Sequence, residues 1–256
     1  MSSPLPIAIV GAGPGDPELI TLKGARLLAE ADLVVHAGSL VHPKILGHCR
    51  PGCELHDSAP LDLARICALM VDAWKAGKRV VRLHTGDSSI YGATAEQTRE
   101  LDKAGVPWYI VPGVSSFQAA AAELGAELTI PGVSQTVILT RAEGRSSGMP
   151  EGEKLVDLAR HKATLCLFLS AALGSRIEED LLPAYGPDCP AAIVVRATWE
   201  DQQVHRCRLA DLFKTLKENK ISKHAMIIVG EALRQEGEAS KLYDAAFSHG
   251  YRKASL

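Results

Sequence analysis

Short, wholly apolar runs alternate along this chain with stretches in which apolar residues recur every three or four positions. A continuous apolar run marks a strand buried on both faces, and a period near 3.6 marks an amphipathic helix. Ile7-Ala8-Ile9-Val10 is the first such run. Leu22, Ala25, Leu28 and Ala29 then fall near one face of a helix predicted over 22–31. Leu33-Val34-Val35 reads as a second strand, and 61–76 as a longer helix closed by Gly77 as its C-terminal cap. A strand over 79–83, a helix over 93–104 stopped by Gly105 and a strand over 108–111 follow. This β-α alternation predicts a largely parallel sheet with helices packed on it.

The second half changes character. Strands are predicted over 136–140, 165–169, 193–197, 204–208 and 226–229. The runs at 193 and 204 are separated by a short polar turn at Glu200-Asp201-Gln202, which suggests an antiparallel hairpin and hence a mixed sheet. Residues 143–152 are polar and rich in Gly, Ser and Pro, as a loop requires. Ala119–Ala122 reads as a connecting helix, and no internal repeat is visible. The expected organisation is an N-terminal α/β domain over 1–115, a C-terminal α/β domain over 116–234 and a tail over 235–256.

The 256 residues are 46% hydrophobic and 23% charged, as expected of a globular protein with ample core. A formal net charge of −2 gives no reason to expect nucleic acid as a partner. No apolar run reaches membrane-spanning length and the N-terminus lacks a signal layout, so a cytoplasmic protein is expected. The six cysteines form no C-x-x-C pair, and the nine histidines show no ligand spacing, so no metal is expected. Reduced structural thiols fit the cysteines best.

The chemistry sits in loops that follow strands. Gly11-Ala-Gly-Pro-Gly-Asp-Pro17 resembles a dinucleotide fingerprint, but Asp16 stands where the third glycine belongs, and Pro14 and Pro17 interrupt it. His84-Thr85-Gly86-Asp87 and Pro112-Gly113-Val114-Ser115-Ser116 follow two further strands. Each alone is an ordinary βα turn. Together, at the carboxyl ends of strands where open α/β sheets bind ligands, they favour one shared site. Asp87 is suited either to cap the next helix or to accept hydrogen bonds from a ligand. No Walker pattern and no nucleophile elbow is present. Thr140-Arg141-Ala142-Glu143-Gly144-Arg145 is a second cluster; its arginines suit carboxylate recognition, or a solvated loop with a weak ion pair.

In this order the three loop motifs resemble the tetrapyrrole methyltransferase superfamily. Ala126–Pro131, Gln135–Arg145, Ala197-Thr198-Trp199 and Ser240–Tyr243 are similar to its precorrin-4 C11-methyltransferase branch. The uroporphyrinogen-III branch typically carries Lys-Gly-Gly-Asp-Pro where this chain has His-Thr-Gly-Asp-Ser, and Ser88 is a departure, since many relatives carry Pro there. The resemblance implies two α/β domains with mostly parallel or mixed sheets, S-adenosylmethionine in a cleft between them, and a homodimer. It implies cofactor contacts from Pro14, Thr85, Gly86, Asp87, Ser115 and Ser116. From the second half it implies Leu169, Ser170, Ala197, Ala225 and Met226.

The expected reaction is methyl transfer to C11 of precorrin-4 or its cobalt complex in corrin biosynthesis; both pathway branches use closely similar enzymes. A sulfonium methyl and an electron-rich pyrrole-type carbon react once aligned, which orientation can favour by roughly 7–11 kcal/mol. Asp87, Tyr91 and His84 are the candidates for polar help at the reacting centre. Arg141, Arg145, Lys23, Arg82 and Arg196 are candidates for the acetate and propionate arms of the tetrapyrrole. The rival readings are methylation at another ring position, action on a modified histidine as in diphthine synthases, and a non-catalytic nucleotide-binding module.

Overall fold

The computed structural model describes residues 4–144 and 148–254. The chain forms two compact units. The first runs to Ala119 and takes in Arg196–Gln202; the second holds Ala120–Val195 and the chain from Gln203 onward.

The sheet of the first unit has five strands: β1 (Ile7–Gly11), β2 (Leu33–His36), β3 (Glu54–Asp57), β4 (Val80–His84) and β5 (Trp108–Val111). Their order is β3-β2-β4-β1-β5 and every pairing is parallel. Because β1 lies between β4 and β5, the loops leaving these three strands start side by side. Helix α1 (Leu22–Glu30) packs on one face, where Val10, Leu28, Val34 and Leu83 are buried. Helices α2 (Leu63–Lys75) and α3 (Thr94–Lys103) cover the other, with Ile7, Leu33, Met70 and Leu101. Burial on both faces is why β1 and β2 read as unbroken apolar runs. Thr21 and Asp62 cap α1 and α2 by accepting the N–H of Gly24 and Arg65 at 3.1 and 2.8 Å. Gly77, at φ +78°, ends α2 as predicted.

Helix α4 (Ser116–Glu123) carries the chain across the division. The second unit is built on β6 (Val137–Arg141), β7 (Thr164–Phe168), β8 (Pro190–Val195), β9 (Gln203–Arg208) and β10 (Ala225–Val229). The order is β6-β7-β10-β8-β9, parallel only between β6 and β7, so the sheet is mixed as expected. Helices α5 (Leu155–Leu158), α6 (Gly174–Tyr185) and α7 (Leu212–Glu218) accompany it, over a core containing Leu165, Leu167, Ile177, Ile193 and Ile227. The pairings Arg141↔Phe168 and Val195↔Ala225 bring the carboxyl ends of β6, β7 and β8 and the amino end of β10 to one edge.

Four of these elements escaped the periodicity, the four-residue α5 being too short to show one. Strand β3 pairs only with β2 and is mostly exposed, so Glu54-Leu55-His56-Asp57 has no apolar pattern to betray it. Helices α6 and α7 bury only a few apolar residues each, and α6 carries Pro183 near its end. The strands expected over 165–169 and 193–197 stop early at Phe168 and Val195. Leu169 and Arg196 adopt left-handed backbone at φ +54° and +47°, which no strand residue can hold. Among the described residues no helix is long and apolar enough to cross a membrane.

Candidate active site

The loops after β1, β4 and β5 are locked together by their backbones. Ala12 N–H donates to the His84 carbonyl at 2.7 Å, and Gly13 and Gly86 exchange hydrogen bonds at 3.2 and 2.8 Å. A Cβ on Gly113 would lie 2.2 Å from the Gly86 carbonyl oxygen and 2.8 Å from Gly11 Cα. A Cβ on Gly11 would meet the same oxygen at 2.6 Å and Gly113 Cα at 2.7 Å. Neither residue has a left-handed φ, so proximity, not conformational freedom, demands glycine here.

Asp87 joins two of these loops. Its Oδ2 accepts the Gly113 N–H at 2.8 Å, while Oδ1 accepts the Ser89 N–H at 2.8 Å and the Ser89 hydroxyl. Partial burial works to raise its pKa, but those hydrogen bonds outweigh it and hold the carboxyl below its ordinary value. A carboxylate has about four acceptor positions, so one stays open to a ligand. Asp87 is not a helix cap: α3 starts seven residues on, at Thr94. Within this loop Tyr91 and Ala93 are both left-handed, at φ +53° and +51°, and Tyr91 is exposed. Such strain costs about 1–3 kcal/mol per residue and persists where the surroundings over-determine it, often at functional sites.

His84 and Ser88 are buried, and neither His84 Nε2 nor Ser88 Oγ has a partner among the described groups. Burial, reinforced by Arg82, lowers the His84 pKa to about 3, so its ring is neutral. Thr85 and Gly86 stand on the loop after β4 and Ser115 and Ser116 on the loop after β5, with Ser115 buried and Ser116 opening α4.

The hairpin connection Arg196–Gln202 belongs to the first unit and grips the first loop. The Trp199 indole N–H donates to the Pro14 carbonyl at 2.9 Å, and the Asp16 N–H donates to the Thr198 hydroxyl at 2.9 Å. Asp16 Oδ1 accepts the Glu18 N–H at 2.8 Å, so the residue that breaks the dinucleotide pattern caps the turn Pro17–Leu19. The connection is anchored at Glu200, which accepts from His42 Nε2 at 2.9 Å and from the Lys44 ammonium. His42 Nδ1 accepts the Lys44 N–H at 3.1 Å, which leaves Nε2 as the donor. Arg196 stacks on Trp199, its Cζ 4.1 Å from the ring centre. Thr198, like Arg196, is left-handed, at φ +70°, a genuine outlier for a β-branched residue. His42, Thr198, Trp199 and Glu200 were missing from the predicted site. The resemblance marked Ala-Thr-Trp, but nothing in the spacing showed what the tryptophan holds.

The remaining candidates divide by environment. Arg82 is buried, donating to Gln97 Oε1 at 2.8 Å and the Val35 carbonyl at 3.0 Å, so its guanidinium is engaged in the interior. Lys23 lies over the Tyr109 ring at 5.1 Å, and Arg196 pairs with Asp201 at 2.5 Å. In the second unit Arg141, Leu169, Ser170, Ala225 and Met226 stand at or beside the common sheet edge. The buried Ser170 hydroxyl accepts the Ala142 N–H at 2.7 Å and donates to the Phe168 carbonyl at 2.6 Å, tying the β6 and β7 exits together. Arg141 donates to the Gly148 carbonyl at 3.1 Å, and Arg176 holds Glu143 at 2.9 Å. Ala197, buried, lies in the first unit. Arg145 lies outside the described residues. No group of three His, Cys, Asp or Glu among the described residues is arranged to hold a metal.

Two outcomes follow. Gly113→Ala forces backbone against backbone, so it will cost at least the ~1–3 kcal/mol of an overpacked interior, read from the denaturant midpoint; unchanged stability would refute the contact. The Glu200 carboxyl, held by Lys44 and His42, has its pKa lowered from 4.5 to about 2. A depressed carboxylate stabilises the folded state above its unfolded pKa, and that contribution is lost as pH falls from about 4.5 towards about 2. Glu200→Gln will therefore flatten the loss of Trp199 anchoring over this window, followed by tryptophan fluorescence against the wild type; identical acid limbs would contradict the anchor.

Residues 6–212 match the family model of the tetrapyrrole (corrin/porphyrin) methylases. The chain is 50% identical over 250 residues to a cobalt-precorrin-4 C(11)-methyltransferase of Methanocaldococcus jannaschii, covering 97% of this chain and 96% of that one. The X-ray structure of a cobalamin biosynthetic enzyme, cobalt precorrin-4 methyltransferase, is similar at a TM-score of 0.86 and 48% identity, over 89% of this chain and 95% of that chain. A uroporphyrin-III C-methyltransferase from Thermus thermophilus, solved with S-adenosylhomocysteine, is similar at a TM-score of 0.75 and 30% identity, over 91% of this chain and 100% of that chain. With agreement over nearly its whole length, this chain belongs to the tetrapyrrole methylase family.

Proposed function

We propose that this protein transfers the methyl group of S-adenosylmethionine to C11 of precorrin-4 or of its cobalt complex. The observation that carries the reading is the backbone lock of Gly11, Gly86 and Gly113, which gathers Thr85, Asp87, Ser115 and Ser116 at the carboxyl ends of adjacent strands. The likeness to a precorrin-4 enzyme at 50% identity supports the substrate, and the likeness to a neighbour solved with S-adenosylhomocysteine supports the cofactor.

The residues fit such a cofactor. A zwitterionic nucleoside needs an acceptor for its hydroxyls or ammonium, hydroxyl donors, and backbone within reach. Asp87 keeps an open acceptor position, Thr85, Ser115 and Ser116 bring hydroxyls, and His84 Nε2 and Ser88 Oγ are buried polar atoms that the described residues leave unpaired. A Cβ on Gly86 would meet nothing nearer than 3.7 Å, so its left-handed φ of +59°, not crowding, calls for glycine and keeps the loop backbone bare. When bound, S-adenosylmethionine supplies a methyl already activated on a sulfonium.

The chain's own groups then bind and orient. Asp87, Thr85, Gly86, Pro14, Ser115, Ser116 and Ala197 hold the cofactor from the first unit, and the family resemblance adds Leu169, Ser170, Ala225 and Met226 as candidates. Arg141, with Arg145, Lys23 and Arg196, pairs with the carboxylate arms of the macrocycle; Arg82 is left out because its guanidinium is engaged inside. His84 enters as a neutral polar group, since its lowered pKa keeps it uncharged near neutral pH. Asp87 and Tyr91 stand by the reacting centre as polar help. No protein nucleophile is required, because alignment does the main work.

The test is product formation from precorrin-4, with and without cobalt, in the presence of methyl-labelled S-adenosylmethionine. Mass spectrometry will show one added methyl and NMR will locate it at C11 with at least one substrate; a methyl at another ring carbon would refute the position. Arg141→Ala will raise the tetrapyrrole KM roughly tenfold, the ~1.5–3 kcal/mol range of a charged hydrogen bond at its lower end, while the cofactor KM stays near wild type.

A further inference from the structure

We propose that Trp199 is a positioning residue for the cofactor: it sets the Pro14–Gly15 peptide of the first glycine loop. This rests on the reading of that loop as cofactor-holding. Three observations on separate groups carry it.

The indole N–H donates to the Pro14 carbonyl at 2.9 Å. A trans peptide is planar, with its carbonyl and N–H opposed. Fixing the Pro14 carbonyl on the indole therefore turns the Gly15 N–H to the side away from Trp199, as a donor presented by the loop. The same ring occupies the space of the missing Gly15 side chain. A Cβ there would lie 2.3 Å from both Cδ1 and Nε1 of Trp199, and 3.0 Å from the Thr198 hydroxyl. Gly15 has no left-handed φ, so crowding accounts for the glycine, with Trp199 as the nearest obstacle and Thr198 behind it. The indole is itself fixed, with the His42 ring centre 4.3 Å away at 60° and the Arg196 guanidinium 4.1 Å from its ring centre. Glu200 then fastens the next residue to His42 and Lys44, and Asp16 N–H fastens the previous one at Thr198. Gly15 is thus held from one side by a rigid platform, and its other side is left to the ligand.

A merely structural tryptophan would change thermal stability and leave ligand affinity alone. The experiment therefore measures S-adenosylhomocysteine binding by calorimetry, KM for S-adenosylmethionine and for the tetrapyrrole, and Tm, on the full chain. Trp199→Phe keeps a ring and removes the donor. It will weaken S-adenosylhomocysteine and raise the S-adenosylmethionine KM roughly tenfold, the upper end for one neutral hydrogen bond, with the tetrapyrrole KM within about twofold and Tm close to wild type. Gly15→Ala and Trp199→Ala complete a cycle: Gly15→Ala will weaken binding strongly beside Trp199 and little in the Trp199→Ala background, because the clash partner is gone. Trp199→Phe with wild-type affinity, or additive effects in the cycle, overturns the inference. Failure of the wild type itself to bind S-adenosylhomocysteine overturns the reading of the site, and this inference with it.

Discussion

Backbone contact among Gly11, Gly86 and Gly113 is the constraint on which the rest of the site depends. Three strand exits can approach this closely only if no side chain stands between them. At Gly11 and Gly113 the contact distances of 2.2–2.8 Å from hypothetical Cβ atoms leave no room for alanine, and Gly86 holds a left-handed φ of +59°. Once the strand order places β1 between β4 and β5, the lock converts three neighbouring turns into one surface. Asp87 then spends its carboxylate partly on structure, through Gly113 and Ser89, and that investment keeps it ionised and oriented.

The second layer of the site is built from strain. Tyr91 and Ala93 in the β4 loop, and Arg196 and Thr198 in the hairpin connection, all hold left-handed backbone without being glycine. Each sits on a loop already tied down, by Asp87 or by the Trp199 and Glu200 contacts. Rigid loops on a parallel sheet suit a reaction in which alignment of an activated methyl with an electron-rich carbon is most of the catalysis. The neutral, buried His84 agrees with such a site, which binds and orients without a charged acid or base at that position.

Much of this was legible in the sequence. The apolar runs located the strands because burial on both faces selects apolar residues, as at Ile7–Val10 and Leu33–Val35. The glycine loops could be read as a shared site because each directly follows such a run. What escaped was set by tertiary contact. Periodicity does not show that Arg82, a residue suited to a carboxylate, points into the interior toward Gln97 and Val35. Nor does it show that a hairpin turn of the second half folds with the first unit, or that Gly15 is small for the sake of an indole 184 positions later in the chain. Strand β3 went unseen because an exposed edge strand carries no apolar signature.

Membership of the tetrapyrrole methylases and the architecture of the glycine lock converge on one claim: the loops after β1, β4 and β5 hold S-adenosylmethionine. A crystal structure of the protein with S-adenosylhomocysteine tests that claim most directly. The account predicts the ligand against Thr85–Asp87 and Ser115-Ser116, with Asp87 accepting a hydrogen bond from it and the Trp199–Pro14 contact intact. A ligand bound away from these loops, or a glycine loop that abandons Trp199 to receive it, would contradict the account.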